Sequence, residues 1–497
     1  MKRKTRILML LFFSGICLIV FPQKKIPGMK NLSVDTMMKT VTFLSSKELQ
    51  GRNPGTAGYD LAAAYMADRF SDLKLKPLGD SSYYQWLYVE SNEISAPYKF
   101  NLLDEKNKIE KEFKLGTDFV FRGFTGSDTV KAPVVFCGYG IYDPDNGYDD
   151  FDSTNVARGK IIMIFKPNPK WKNGEVAWPD ANERAKALIA KQHRARAILM
   201  VSLPNEKYPQ KPIGSTLHGE GYQQLQMPLL HINIDAANEI LSKTAYTISQ
   251  LQTIIDSTKK PFSLNTGFRV DLQDSVKYNP DAITENLIGY IEGCDSTLKH
   301  QYVLIGAHLD HVGQQAGEIY FPGANDNASG SAAVLEIART FVKGKIKPKR
   351  SVIFVLFASE EQGLLGSKFL AEHLPVPADS IVAAINMDCI GYGDSIQIGN
   401  GKSAPELWKF IKELDKNYTR RMVERTWNGG GADLGAFHDK GIPGAYFVTT
   451  NSYDNLHWLT DTPETLNQTL YWNIVKLAYA TVYKIAMGEY KRENVIK

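Results

Sequence analysis

Gly306-Ala-His308-Leu-Asp310-His311, followed by Gly323-Ala-Asn-Asp326-Asn-Ala-Ser-Gly330, decides how this chain is read. The run before it, Tyr302-Val-Leu-Ile-Gly-Ala307, is apolar and has the length of a strand covered on both faces. It delivers His308 to a strand end, with Asp310 two residues on. Histidine is the commonest metal ligand, and a nearby carboxylate can accept its second ring N–H and so fix its tautomer and orientation. Asp326 follows in the next loop, ahead of a helical pattern, so the stretch reads as half of a two-metal site.

Outward from this stretch the pattern alternates. Apolar strands are predicted at 286–291, 302–307, 351–358, 381–387 and 445–448, and helices at 329–343, 364–373, 405–417 and 466–487. Such alternation predicts an α/β fold, a mostly parallel or mixed central sheet with helices on both faces, whose ligands bind beyond the carboxyl ends of the strands. Those ends carry Glu360 and Glu361, Asp388, and His457 with Asp461 four residues on. His308, Asp326, Asp388, His457 and one of the two adjacent glutamates form a ligand set suited to zinc, with one carboxylate placed to bridge two ions about 3.5–4 Å apart. Adjacent side chains diverge at a strand end, so one of Glu360 and Glu361 can bind metal while the other faces substrate and moves a proton. His311 is read as a capping or packing residue. The Gly429-Gly430-Gly431 run is read as a flexible pocket loop, because no phosphate-binding pattern accompanies it.

At 497 residues the chain exceeds one hydrophobic core, and two domains are expected. Lys2, Arg3, Lys4 and Arg6 precede the apolar run 7–21, so residues 1–23 read as a signal peptide, with an uncleaved anchor as the alternative. Export to the periplasm or beyond is expected, with no stable membrane span once the signal is removed. Taking those four basic residues from 58 Lys and Arg leaves 54 against 54 Asp and Glu. A near-neutral chain with scattered cations gives no footprint for nucleic acid. Cys137, Cys294 and Cys389 are too few and too scattered for a disulfide framework or a cysteine-bound zinc. Residues 24–131 begin with two amphipathic helices, at 34–49 and 59–73, and turn to short strands after residue 83. Residues 132–262 read as a mostly β inserted module with some helix, in which Asp149, Asp150 and Asp152 form a solvated turn. Residues 263–497 carry the catalytic pattern.

With these residues in place, the chain resembles metallopeptidase family 28, the di-zinc exopeptidases that include bacterial leucyl aminopeptidases, aminopeptidase Y and glutamate carboxypeptidase II. Ala307-His-Leu-Asp-His311, Gly323-Ala-Asn-Asp-Asn-Ala-Ser-Gly330, Ser359-Glu-Glu361, Asn386-Met-Asp388 and Leu456-His457 with Asp461-Thr462 stand in the family's order, and Glu48-Leu-Gln-Gly-Arg52 is similar to its lead-in. The module at 132–262 is similar to a protease-associated domain. The resemblance implies two Zn2+: Asp326 bridging, His308 and Asp388 completing one metal, Glu361 and His457 the other, Glu360 as general base and acid, and Asp310 orienting His308. It implies an exported aminopeptidase acting on peptides through a zinc-bridging hydroxide, with a carboxypeptidase or dipeptidase of the same family as the alternative. A non-catalytic binding protein is a poorer match to a complete ligand set. Two departures concern the pocket: Ala432-Asp433-Leu434 stands where the family has Ser-Asp-His, and Trp458-Leu459 where Thr-Pro is usual.

Overall fold

Strands whose every residue is apolar must be covered on both faces, and the structure shows what covers them. The computed structural model describes residues 25–151, 155–171, 178, 179, 182–217 and 227–496; the predicted signal peptide at 1–23 lies outside them. The principal strands are β1 (Tyr84–Leu103), β2 (Asp128–Cys137), β3 (Ile161–Phe165), β4 (Ala197–Val201), β5 (Leu229–Ile232), β6 (Ser263–Ile291), β7 (Tyr302–His308), β8 (Ser351–Phe357), β9 (Ile381–Met387), β10 (Ile396–Gly399) and β11 (Gly444–Thr449). The helices are α1 (Val34–Leu44), α2 (Ala57–Asp72), α3 (Glu183–Gln192), α4 (Ile234–Leu241), α5 (Ile248–Thr258), α6 (Ser329–Lys343), α7 (Leu365–Glu372), α8 (Pro405–Tyr418), α9 (Leu434–Asp439) and α10 (Gln468–Ala486).

One mixed sheet runs through the molecule in the order β10-β11-β9-β7-β8-β6-β2-β3-β4-β5. Strands β8, β7, β9 and β11 are mutually parallel, as are β2, β3, β4 and β5. The 29-residue β6 joins the two sets, pairing antiparallel with β2 along its first part, with β1 from Arg269 to Leu287 and with β8 at its end. Alternate residues take opposite faces. Val303, Ile305, Val352, Phe354 and Leu356 bury against α1, α2, α6 and α10, whereas Leu304, Ile353, Val355 and Phe357 bury against α7 and α9. The module around β2–β5 repeats this plan, with Phe136, Met163 and Leu199 facing α4 and α5, and Ile162, Ile198 and Met200 facing α3. Each large side chain so buried contributes about 1.5–3 kcal/mol.

Of the acidic turn that the sequence suggested to be solvated, Asp152 lies outside the described residues, and Asp150 is not solvated. Asp150 is fully buried and accepts the N–H groups of Tyr139 (2.9 Å) and Ile141 (3.0 Å), closing the turn after β2. Among the described residues no helix is long and apolar enough to cross a membrane.

Candidate metal centre

The carboxyl ends of β7, β8 and β9 lie side by side because the strands are parallel and adjacent, and this gathers residues distant in sequence. His308 closes β7, Glu360 and Glu361 follow β8, and Asp388 follows β9. Asp326 sits in the segment Ala324–Ala328 that leads into α6, and His457 lies in the loop after β11. His308 Nε2 stands 3.2 Å from Asp326 Oδ1 and 3.4 Å from Asp388 Oδ1. On the other side of Asp326, His457 Nε2 stands 3.2 Å from Asp326 Oδ2 and 2.9 Å from Glu361 Oε2. Two groups result, His308–Asp326–Asp388 and His311–Asp326–Glu361–His457, which share Asp326.

His311 is the residue that the sequence reading left out. Its side chain is fully buried, and Nδ1 lies 3.0 Å from Glu361 Oε1 and 3.6 Å from Asp326 Oδ2. It is therefore no packing residue but a third imidazole at the centre. A signal existed: it follows His308 by three positions in the same loop.

Around this set, other residues hold position. Asp310 lies 3.6 Å from His308 Nδ1 through Oδ1, and its carboxylate accepts the N–H groups of Glu360 (3.1 Å) and Glu361 (3.2 Å), so it ties the glutamate turn to the histidine strand. Asp461, expected beside His457, instead accepts the N–H groups of Asn325 (2.8 Å) and Asp326 (3.0 Å) and fixes the loop that carries Asp326. Tyr446 donates to Asp388 Oδ2 at 2.8 Å. Arg52, fully buried, donates to Leu309 O (2.8 Å), Pro322 O (2.8 Å) and Gly323 O (3.0 Å), clamping the loops that carry His308 and Asp326.

The electrostatics call for cations. Burial lowers the Arg52 guanidinium to about 10, against the pull of Asp326, Asp310, Asp461 and Glu361. Burial alone would push Asp326 up, yet His308, His457 and His311 hold it well below the usual carboxylate range. Burial would likewise lower His308, but Glu360, Asp310, Asp326 and Asp388 raise it well above the ordinary imidazole value. Glu360 is pushed well up, first by burial and then by Asp433, Glu361 and Asp388, with His308 opposing. Asp388 Oδ1 is buried without a hydrogen bond among the described residues and points at His308. Donors around a tetrahedral zinc at 2.0–2.2 Å lie about 3.3 Å from one another, the spacing these atoms have. Imidazole with carboxylate suits zinc, so the residues present fit two divalent cations sharing Asp326.

A cleft of about 780 Å³ opens over Glu360, Glu361 and His457. Arg122, Glu183 and residues 213–216 also line it.

Residues 286–482 match the model of Peptidase family M28. A probable leucine aminopeptidase of Trichophyton verrucosum is 30% identical over 194 residues, covering 37% of this chain and 54% of the relative. The chain thus spans about half the length of such curated relatives. Aminopeptidase YwaD of Bacillus subtilis is 28% identical over 400 residues, covering 77% of this chain and 74% of that protein. In fold, the chain is similar to the solved aminopeptidase from Aneurinibacillus sp. strain AM-1, with a TM-score of 0.63 at 19% identity over 94% of this chain and 96% of the other.

Proposed function

We propose that this chain is an exported zinc aminopeptidase that removes N-terminal residues from peptides, with two zinc ions held by His308, Asp326 and Asp388 on one side and by Asp326, Glu361 and His457 on the other. The observation that carries this reading is the sharing of Asp326 between two donor groups, one of which reaches an open cleft through Glu361 and His457. The names of the similar proteins support the same chemistry. Zinc supplies a Lewis acid that polarises a peptide carbonyl and lowers the pKa of water.

The chain's own residues do the rest. Glu360 lines the cleft, and burial among carboxylates gives it a high proton affinity. It is placed to take a proton from the attacking water and pass it to the leaving amine. Asp310 holds the main chain of Glu360 and Glu361 in register, so the proton carrier and the ligand beside it keep a fixed relation. Purified Glu360→Ala is expected to retain two zincs per chain and to lose at least about 10²-fold in hydrolysis of aminoacyl substrates. Retained turnover would remove Glu360 from this role. Preference for N-acetylated over free peptides would move the assignment to the carboxypeptidase alternative.

A further inference from the structure

Residues 213–216 of the inserted module reach across to the metal centre. Gly214 N–H donates to His457 O at 2.8 Å, and the Thr216 hydroxyl donates to Glu361 O at 3.0 Å. Both acceptors are main-chain carbonyls of residues in the same donor group. Among the described residues, no hydrogen bond runs from this strap to His308 or Asp388.

The strap is gripped from both sides. Arg122 Nη1 donates to Ile213 O at 2.9 Å, and Gly123 N–H donates to Ser215 Oγ at 2.9 Å. Any side chain at 123 would put its Cβ 2.3 Å from the Thr216 backbone, so only glycine lets the two segments meet. Opposite, a Cβ at Gly214 would lie 2.6 Å from Val312 and 2.9 Å from the Phe321 ring, both in the peptidase domain. Thr216 is itself buried. A segment wedged in this way transmits the position of the module to whatever it is bonded to.

We infer that the strap is a positioning element of the metal centre: Gly214 and Thr216 set the main-chain position of His457 and Glu361. The affinity of the His311–Asp326–Glu361–His457 group for its cation therefore depends on the inserted module, while that of His308–Asp326–Asp388 does not. This rests on the two-zinc reading above.

The test uses the full chain, stripped of metal and titrated with zinc against a chromophoric chelator, with thermal melting as a check on folding. Wild type is expected to show two zinc affinities. Thr216→Val, which keeps the shape and removes the donor, is expected to weaken one of them about 10- to 100-fold and leave the other within about twofold. Thr216→Ser restores the donor and is expected to return both to wild-type values. Two unchanged affinities in Thr216→Val, an equal loss at both sites, or failure of Thr216→Ser to recover would each overturn the inference. A wild-type protein that takes up no zinc would instead overturn the reading beneath it. Should Thr216→Val not fold, Thr216→Ala removes the same donor and is read in the same way.

Discussion

Glu361 stands between two imidazoles, His311 on Oε1 at 3.0 Å and His457 on Oε2 at 2.9 Å, and this unequal dressing of the two donor groups is a property of single residues. The His308 group has three members and the other has four. Replacing His311 removes a group that either donates to the cation or orients Glu361, and either loss weakens the same site. His311→Gln is expected to cost about 10- to 100-fold in affinity for one zinc. Chelator competition reads this directly, and two unchanged affinities would return His311 to a packing role. At this scale His308, Asp326, Asp388 and His457 could be named as candidates from the sequence, because strand ends and glycine-rich loops mark where ligands sit, while the choice of Glu361 over Glu360 came from the family resemblance. His311 and Arg52 could not be assigned. Nothing in a linear string shows that a guanidinium at 52 meets carbonyls at 309, 322 and 323.

Strand β6 is the element on which the architecture depends, and its pairing was the least legible. Only its end, at 286–291, has the apolar density of a covered strand, while the remainder alternates and pairs with β1 and β2 on either side. At its irregularity, between Gln273 and Ser275, Asp274 is buried with the Thr125 hydroxyl donating to it. Burial raises this carboxyl to about 7, above its ordinary 3.8, against the hydrogen bonds from Thr125 and the Ser275 N–H. A folded value above the unfolded one means that its stabilising share is whole below pH about 4 and is lost as pH rises through about 7. Asp274→Asn can still accept from Thr125 and does not ionise. Its stability relative to wild type should therefore grow between pH 5 and pH 8, by on the order of 1–3 kcal/mol, and level off above. Urea unfolding at the two pH values measures this, and a constant difference would contradict it.

Over the whole molecule, the buried carboxylates Asp310, Asp326, Asp388 and Asp461 surround the centre with Arg52 as a buried counter-charge, an arrangement that bound cations stabilise. Zinc at 100 times its dissociation constant is expected to add about 2.7 kcal/mol per site to the folded state. The melting temperature should fall in chelator and recover with zinc, and indifference to chelator would count against a metal centre at this position. The sequence by itself determined the α/β alternation, the places where strands end and a set of candidate ligands at those ends, because burial on both faces and metal chemistry each restrict residue type locally. Only the tertiary structure decided which ends lie together, that β6 fuses β2–β5 with β7, β8, β9 and β11 into one sheet, and that a strap at 213–216 bonds to Glu361 and His457. Those contacts are made by backbone atoms and by residues far apart in the chain. Every residue carries the same backbone donors and acceptors, so their pairing leaves almost no mark on composition.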